Sequence, residues 1–373
     1  MTEFIEKHKC CGCSACMQAC PKGCIAMRED KEGFLYPEVD KNQCIDCGLC
    51  EKVCPVLLAK EKQKSFKVYA AKNTDEQIRI KSSSGGIFTL LAEKTIEEKG
   101  VVFGARFDDN WEVVHDYTET KEGIAFFRGS KYVQSKIGET YKQAKEFLKN
   151  GRKVLFTGTP CQIAGLKSYL RKEYGNLLAV EVICHGAPSP QIWREYLAET
   201  RGWQKITGID FRDKSYGWKS YWTYIKGENT DIVKEKFFNN AYMIGFLKNL
   251  YLRPSCYNCP FKISKSEADV TLGDFWGIEN VMPQFDDDKG CSVVILHSPQ
   301  YQELISATTH IETDLNSAIK GNPCLKGSVT EPANRDLFWF HYKKMGIKNA
   351  IRCINSNNLL MRAYRWIFRK IKK

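Results

Sequence analysis

KVLFTGTPCQIAGLKSYLRKEYGNLLAVEVICH, residues 153–185, reads as strand, helix, strand. The apolar run KVLFTG gives way to a Gly-Thr-Pro turn and the lone Cys161. PCQIAGLKSYLRKEYG is helical in composition, and LLAVEVIC is a second apolar strand. Such a unit makes two parallel strands joined by a right-handed crossover. Their C-terminal ends then lie along one sheet edge, where open α/β sheets bind ligands. Cys161 follows the first strand and Cys184 closes the second, with His185 and Gly186 next in line.

Working outward, FKVYAAKN (66–73) reads as a strand, and KSSSGGIFTLLAEKTIEEKG (81–100) as a Ser/Gly turn entering a helix that Gly100 stops. VVFGARF and WEVVHDY form a hairpin around residues 108–110, and ETYKQAKEFLKNG is a further helix. Ser82, Ser83, Ser84, Gly85 and Gly86 place hydroxyls and small residues at a helix start. That suits a phosphate site as well as it suits a helix cap. No GxGxxG or Walker pattern occurs. Downstream, PSCYNCPFK carries Cys256 and Cys259. A lone CxxC fits a zinc half-site, a redox dithiol or chance. Joined with Cys161 and Cys184, it supplies four thiolates, enough for a 4Fe–4S cluster.

Ten of the seventeen cysteines lie between Cys10 and Cys54. Cys10-x2-Cys13-x2-Cys16-x3-Cys20-Pro21 is repeated as Cys44-x2-Cys47-x2-Cys50-x3-Cys54-Pro55. Three close cysteines wrap one corner of a cubane, while the fourth, before proline, reaches the other cluster. One set is therefore Cys10, Cys13, Cys16 and Cys54, and the other Cys44, Cys47, Cys50 and Cys20. Cys11 and Cys24 fall outside the pattern and read as small residues packed nearby. GFLYPEVD, between the repeats, suits a small hairpin.

The formal charge of +12 invites a nucleic-acid reading. Half of it sits on Arg362, Arg365, Arg369, Lys370, Lys372 and Lys373, and thiolate clusters add negative charge that the count omits. Nucleic-acid binding is not expected. No apolar run approaches the roughly 20 residues of a membrane span, and no signal peptide is evident, so the expected location is cytoplasmic. LLMRAYRWIFRKIKK, at the C-terminal end, is amphipathic in period. It suits peripheral contact with an anionic membrane surface, or a helix docked on its own domain with a solvated basic face.

The chain resembles the coenzyme F420 hydrogenase/dehydrogenase beta-subunit family over nearly all its length. The residues that carry the resemblance are KSSSGGIFT (81–89), GSKYVQS (129–135), FTGTPCQIAGLKSYL (156–170), CHGAPSP (184–190), CYNCPFK (256–262), ADVTLGDFWG (268–277) and KGCS (289–292). The resemblance implies FAD beside a 4Fe–4S cluster. Carried over by position, Ser82 to Gly86 would approach the flavin, with Lys131, Gln134, Thr157, Gly158, Thr159, Pro160 and Gln162 nearby. Cys161, Cys184, Cys256 and Cys259 would ligate the cluster. The expected fold class is then α+β followed by α/β: a bacterial-type two-cluster ferredoxin domain (1–58) and a mixed α/β flavin-binding domain in two parts (66–150 and 151–330). A helical basic tail (331–373) completes the chain.

Two functions remain open. One is a ferredoxin-fed, FAD-dependent reductase of a small-molecule redox substrate, with His185 as a candidate proton donor and a reduced ferredoxin or similar protein as a donor partner. The other is an electron relay inside a larger complex, with no organic substrate of its own.

Overall fold

The computed structural model describes residues 4–58, 67–202, 204–262, 265–356 and 366. The N-terminal part holds α1 (Ala15–Ala19), β1 (Ile25–Glu29), β2 (Leu35–Val39) and α2 (Leu49–Lys52). β1 and β2 pair antiparallel, so the GFLYPEVD stretch supplies the second strand of a hairpin, as its alternation suggests. Each short helix starts from a left-handed N-cap, Ser14 at φ 61° and Gly48 at φ 65°, which turns the chain tightly between closely spaced cysteines.

The body follows with β3 (Lys67–Asn73), α3 (Glu76–Ile80), α4 (Ile87–Glu97), β4 (Val101–Phe107), β5 (Val113–Thr118), α5 (Ile124–Phe127) and α6 (Thr140–Lys149). Then come β6 (Val154–Gly158), α7 (Pro160–Leu170), β7 (Leu177–Val182), α8 (Pro190–Arg201), β8 (Ile206–Asp213), β9 (Trp222–Gly227), β10 (Asp231–Lys236) and α9 (Ala241–Leu247). β11 (Val270–Asp274), β12 (Ser292–Leu296) and β13 (Thr308–Thr313) complete the strands.

Among the described residues, eight strands make one sheet in the order β13-β3-β12-β11-β7-β6-β4-β5. Its centre is parallel: β4 with β6, β6 with β7, and β7 with β11. The flanking pairs are antiparallel, including the expected β4–β5 hairpin. The run SVVIL of β12 is buried at every position, as befits a strand covered on both faces. The strand–helix–strand unit at 153–185 is thus β6-α7-β7, and its strand ends share an edge with the end of β11. Pro160 at the first helical turn and a capping box between Thr159 and Gln162 start α7.

β8–β10 form a separate three-stranded antiparallel sheet. It packs with α8, α9 and the C-terminal helix Arg335–Asn355 in an aromatic core that includes Trp193, Tyr196, Phe211, Tyr242 and Phe338. Of the stretch 331–373, expected as a helical basic tail, the described part packs on the body. Leu337, Phe338, Ile347, Ala350 and Ile351 are core residues of the body. The segment 357–373 lies outside the described residues except for Trp366, which is helical and exposed, so neither reading of the tail helix is tested. Among the described residues no helix is long and apolar enough to cross a membrane.

Candidate functional site

The N-terminal cysteines lie in two adjoining places, with Cys16 shared between them. Cys10, Cys13, Cys16 and Cys54, all buried, surround one small cavity together with Cys11, Gly12 and Ser14. Cys20, Cys44 and Cys50 pack with Cys16, Cys24 and Ile25 in a neighbouring cluster, and Cys20 and Cys24 bring their sulfurs to 3.3 Å. Cys47 is exposed, so the second group faces the surface and the first faces inward. Burial pushes the Cys16 thiol up to about 12, with Cys10, Cys54 and Cys50 adding to the shift.

Where β6, β7 and β11 end, the body holds a cavity of about 800 Å³, within the ~300–1,000 Å³ typical of cofactor-sized sites. Of the residues expected beside a flavin, Ser82, Ser83, Ser84, Gly86, Lys131, Gln134, Thr157, Gly158, Thr159, Pro160 and Gln162 all line it. Gly85 stands behind, where a Cβ would meet Ser292 N at 2.8 Å. Cys161, Cys184, Cys256, Cys259 and His185 line the same cavity. The segments that only a fold could unite are therefore united at the edge where β6, β7 and β11 end.

Burial raises the thiols of Cys256 and Cys259 to about 12 and about 11, and drives that of Cys184 well up. Cys161 is raised first by its thiol contact with Cys11 and then by burial, and Thr159 Oγ1 lies 3.3 Å from its sulfur. Thiols in so dry a place ionise only when a cation compensates them, and burial raises Cys291, outside the expected ligand set, in the same way. Among the described residues no three His, Cys, Asp or Glu side chains could hold one metal ion between them. The four sulfurs line a space; they do not close on a point.

Most polar side chains at the cavity serve its frame. Ser82 Oγ donates to Ile78 O, Ser83 Oγ accepts from Ser130 N and Oγ, and Ser84 Oγ donates to Cys291 O. The three serines thus anchor the turn rather than cap α4, whose N-cap is Gly86 at φ 82° with no side-chain cap. Arg212 and Lys214 brace the same turn. Arg212 Nη2 donates to Ser83 O, and Lys214 Nζ to Ser84 O. Arg212 in turn pairs with Asp274 at 2.8 Å and lies over the Tyr221 and Trp276 rings.

Lys131 Nζ donates to the carbonyls of Phe126, Arg128 and Gly129, while burial pushes its pKa down to about 7. Gln162 caps α7 and donates to Ser135 Oγ. Gln134 reaches out of the body, its Nε2 donating to Cys11 O at 3.0 Å. His185 faces Asn249 Oδ1 at 2.6 Å, and burial lowers its pKa. Two buried atoms of cavity-lining residues, His115 Nδ1 and Arg212 Nε, have no hydrogen-bond partner.

Sequence reasoning missed Arg212, Lys214, His115 and Arg253. Arg253 had the clearest signal, since it immediately precedes the PSCYNC segment. Arg212, in DFRD, carries no motif.

The ferredoxin-like part docks directly on this site. Cys11 and Cys13 share a core with Cys161, Ile163 and Ala164 of α7, and Gln18 Oε1 accepts from Tyr141 N and Lys142 N.

Comparisons with known proteins agree with this anatomy. Residues 68–141 and 151–317 match the N-terminal and C-terminal parts of the coenzyme F420 hydrogenase/dehydrogenase beta subunit. Residues 9–57 match a 4Fe–4S dicluster domain, and residues 39–82 a 4Fe–4S single cluster domain of ferredoxin I. A solved structure of the F420-reducing NiFe hydrogenase complex from Methanosarcina barkeri, derivatized with xenon, is similar at 20% identity and a TM-score of 0.47, covering 79% of this chain and 94% of that one. No curated protein matches the chain. The chain belongs to the coenzyme F420 hydrogenase/dehydrogenase beta-subunit family, as an iron–sulfur oxidoreductase joined to a 4Fe–4S dicluster domain.

Proposed function

We propose that the chain is an FAD-dependent reductase fed through its own ferredoxin domain, with a third 4Fe–4S cluster held by Cys161, Cys184, Cys256 and Cys259. One observation carries this reading. The four cysteines and, except for Gly85, the residues expected beside the flavin line a single cavity, and Cys161, on its wall, touches Cys11 beside the inner N-terminal cysteine group. The cavity fits a flavin in size, and its two unpartnered buried nitrogens call for a polar occupant. When bound, the clusters would carry single electrons and the flavin would convert them to two-electron transfer to a small organic acceptor, such as a deazaflavin.

The chain's own residues do the rest. Cys47 and its neighbours set the entry point at the surface, where Ile45, two residues away in the chain, is also exposed for a donor protein. The braced Ser82–Gly86 turn and the start of α4 orient an anionic group. Phe127, Phe246 and Trp276 exclude water. Burial lowers the pKa of His185; with the proton of Nε2 held toward Asn249, it could act as the expected proton donor only after Nδ1 had taken up a proton. The chain purified without oxygen should release about one FAD on denaturation. No flavin after reconstitution with FAD would leave the relay reading.

A further inference from the structure

The segment that carries Cys256 also carries a charge that nothing else in its surroundings explains. Arg253 is 1% exposed. Its Nε donates to Cys10 O at 2.7 Å, Nη1 to Gln134 Oε1 at 3.1 Å, and Nη2 to Leu35 O at 2.9 Å. Nη2 also lies 3.7 Å from Cys10 Sγ, and the guanidinium stacks 4.2 Å over the Tyr36 ring. The groups whose charge acts on it most are Cys10, Tyr36, Cys11 and Cys256, none of them a carboxylate. Gly12, at φ +71°, keeps the space clear, since a Cβ there would stand 2.7 Å from Nη1. Through the turn Pro254–Asn258, one short stretch thus presents a cation to the ferredoxin domain and a sulfur to the body.

A buried guanidinium without a counter-charge costs several kcal/mol, so a fold retains one only where an anion meets it. The anion within reach is a thiolate-bound cluster. A fixed positive charge and an N–H donor toward a ligand sulfur both favour the more negative, reduced state of such a cluster.

We infer that Arg253 is a positioning residue whose guanidinium takes the inner ferredoxin-domain cluster as its counter-ion and raises that cluster's reduction potential, poising it for exchange with the body. The inference rests on Cys10 being a cluster ligand; it does not need the flavin or the third cluster. In the anaerobic holoprotein, redox titration followed by electron paramagnetic resonance should show one ferredoxin-domain midpoint moved to lower potential in Arg253→Gln. Iron content should be unchanged, and Arg253→Lys should return the midpoint most of the way. Loss of iron in the Gln variant alone, with the Lys variant keeping both iron and the wild-type midpoint, supports the same conclusion. Unmoved midpoints in Arg253→Gln, equal shifts in both variants, or iron lost from both would overturn it. Failure of the reductase reading would look different: no flavin and about eight irons per chain, with the Arg253 effect still readable on those eight.

Discussion

Gly165 of α7 lies against Cys13: a Cβ on this glycine would stand 2.8 Å from Cys13 Cβ and 3.0 Å from its sulfur. The body helix that begins at a cavity cysteine therefore touches a cysteine of the inner N-terminal group with no side chain between them. Gly165→Ala should overpack this junction by about 1–3 kcal/mol. It should also slow donor-driven bleaching of the body cofactors while leaving iron content alone. An unchanged urea midpoint together with an unchanged reduction rate would show that the close approach has no consequence.

Cys259→Ser removes one of the four proposed ligand sulfurs at the cavity and none in the ferredoxin domain. It should lower iron by about four atoms per chain and leave the ferredoxin-type signals intact. Iron analysis of the variant beside wild type decides the matter; equal iron removes the third cluster.

Arg212→Met strands Asp274 in a site that also holds Trp218 Nε1 at 2.9 Å from the carboxylate. Breaking this buried pair should cost about 3–5 kcal/mol. Because Arg212 also holds Ser83 O, the variant should retain less FAD through purification. A small loss of stability with full flavin retention would mean that the brace is redundant.

His115 gives a pH signature. Burial lowers its pKa from 6.5 to about 4. The folded chain therefore binds fewer protons than the unfolded chain between those values. Stability is then fully present above pH 6.5 and falls as the pH drops toward 4, by about 3 kcal/mol in total. His115→Gln keeps an amide donor for Thr157 O yet cannot titrate, so its acid limb should be shallower than wild type. Denaturant midpoints measured at pH 7, 6, 5 and 4 provide the test, and parallel curves would refute it.

Much of this was legible in the sequence because it rests on short-range spacing. The two cysteine repeats define their crossed groups, and the apolar runs either side of α7 define a parallel pair whose ends meet. The convergence of Cys161 with Cys184 follows from chain direction alone. What stayed hidden depends on contacts across long separations. Ser83 and Ser130 meet over 47 residues, Ser84 and Cys291 over 207, and Arg253 and Cys10 over 243. The sheet β8–β10 escaped as well, because register shifts in both of its pairings blur the alternation that marks a half-buried strand. The docking of the helix Arg335–Asn355 stayed hidden too, because Leu337, Phe338 and Ile351 bury their apolar side chains against elements far away in sequence.

Of the seventeen cysteines, Cys47 alone is exposed. A conductor insulated along its length and bare at one tip exchanges current only through that tip. Dioxygen in the surrounding solution would meet sulfur first at this point, so oxidative damage should begin with the cluster nearest Cys47 and work inward. An aerobically aged sample would then lose its supply of electrons while the cavity behind α7 remained chemically whole.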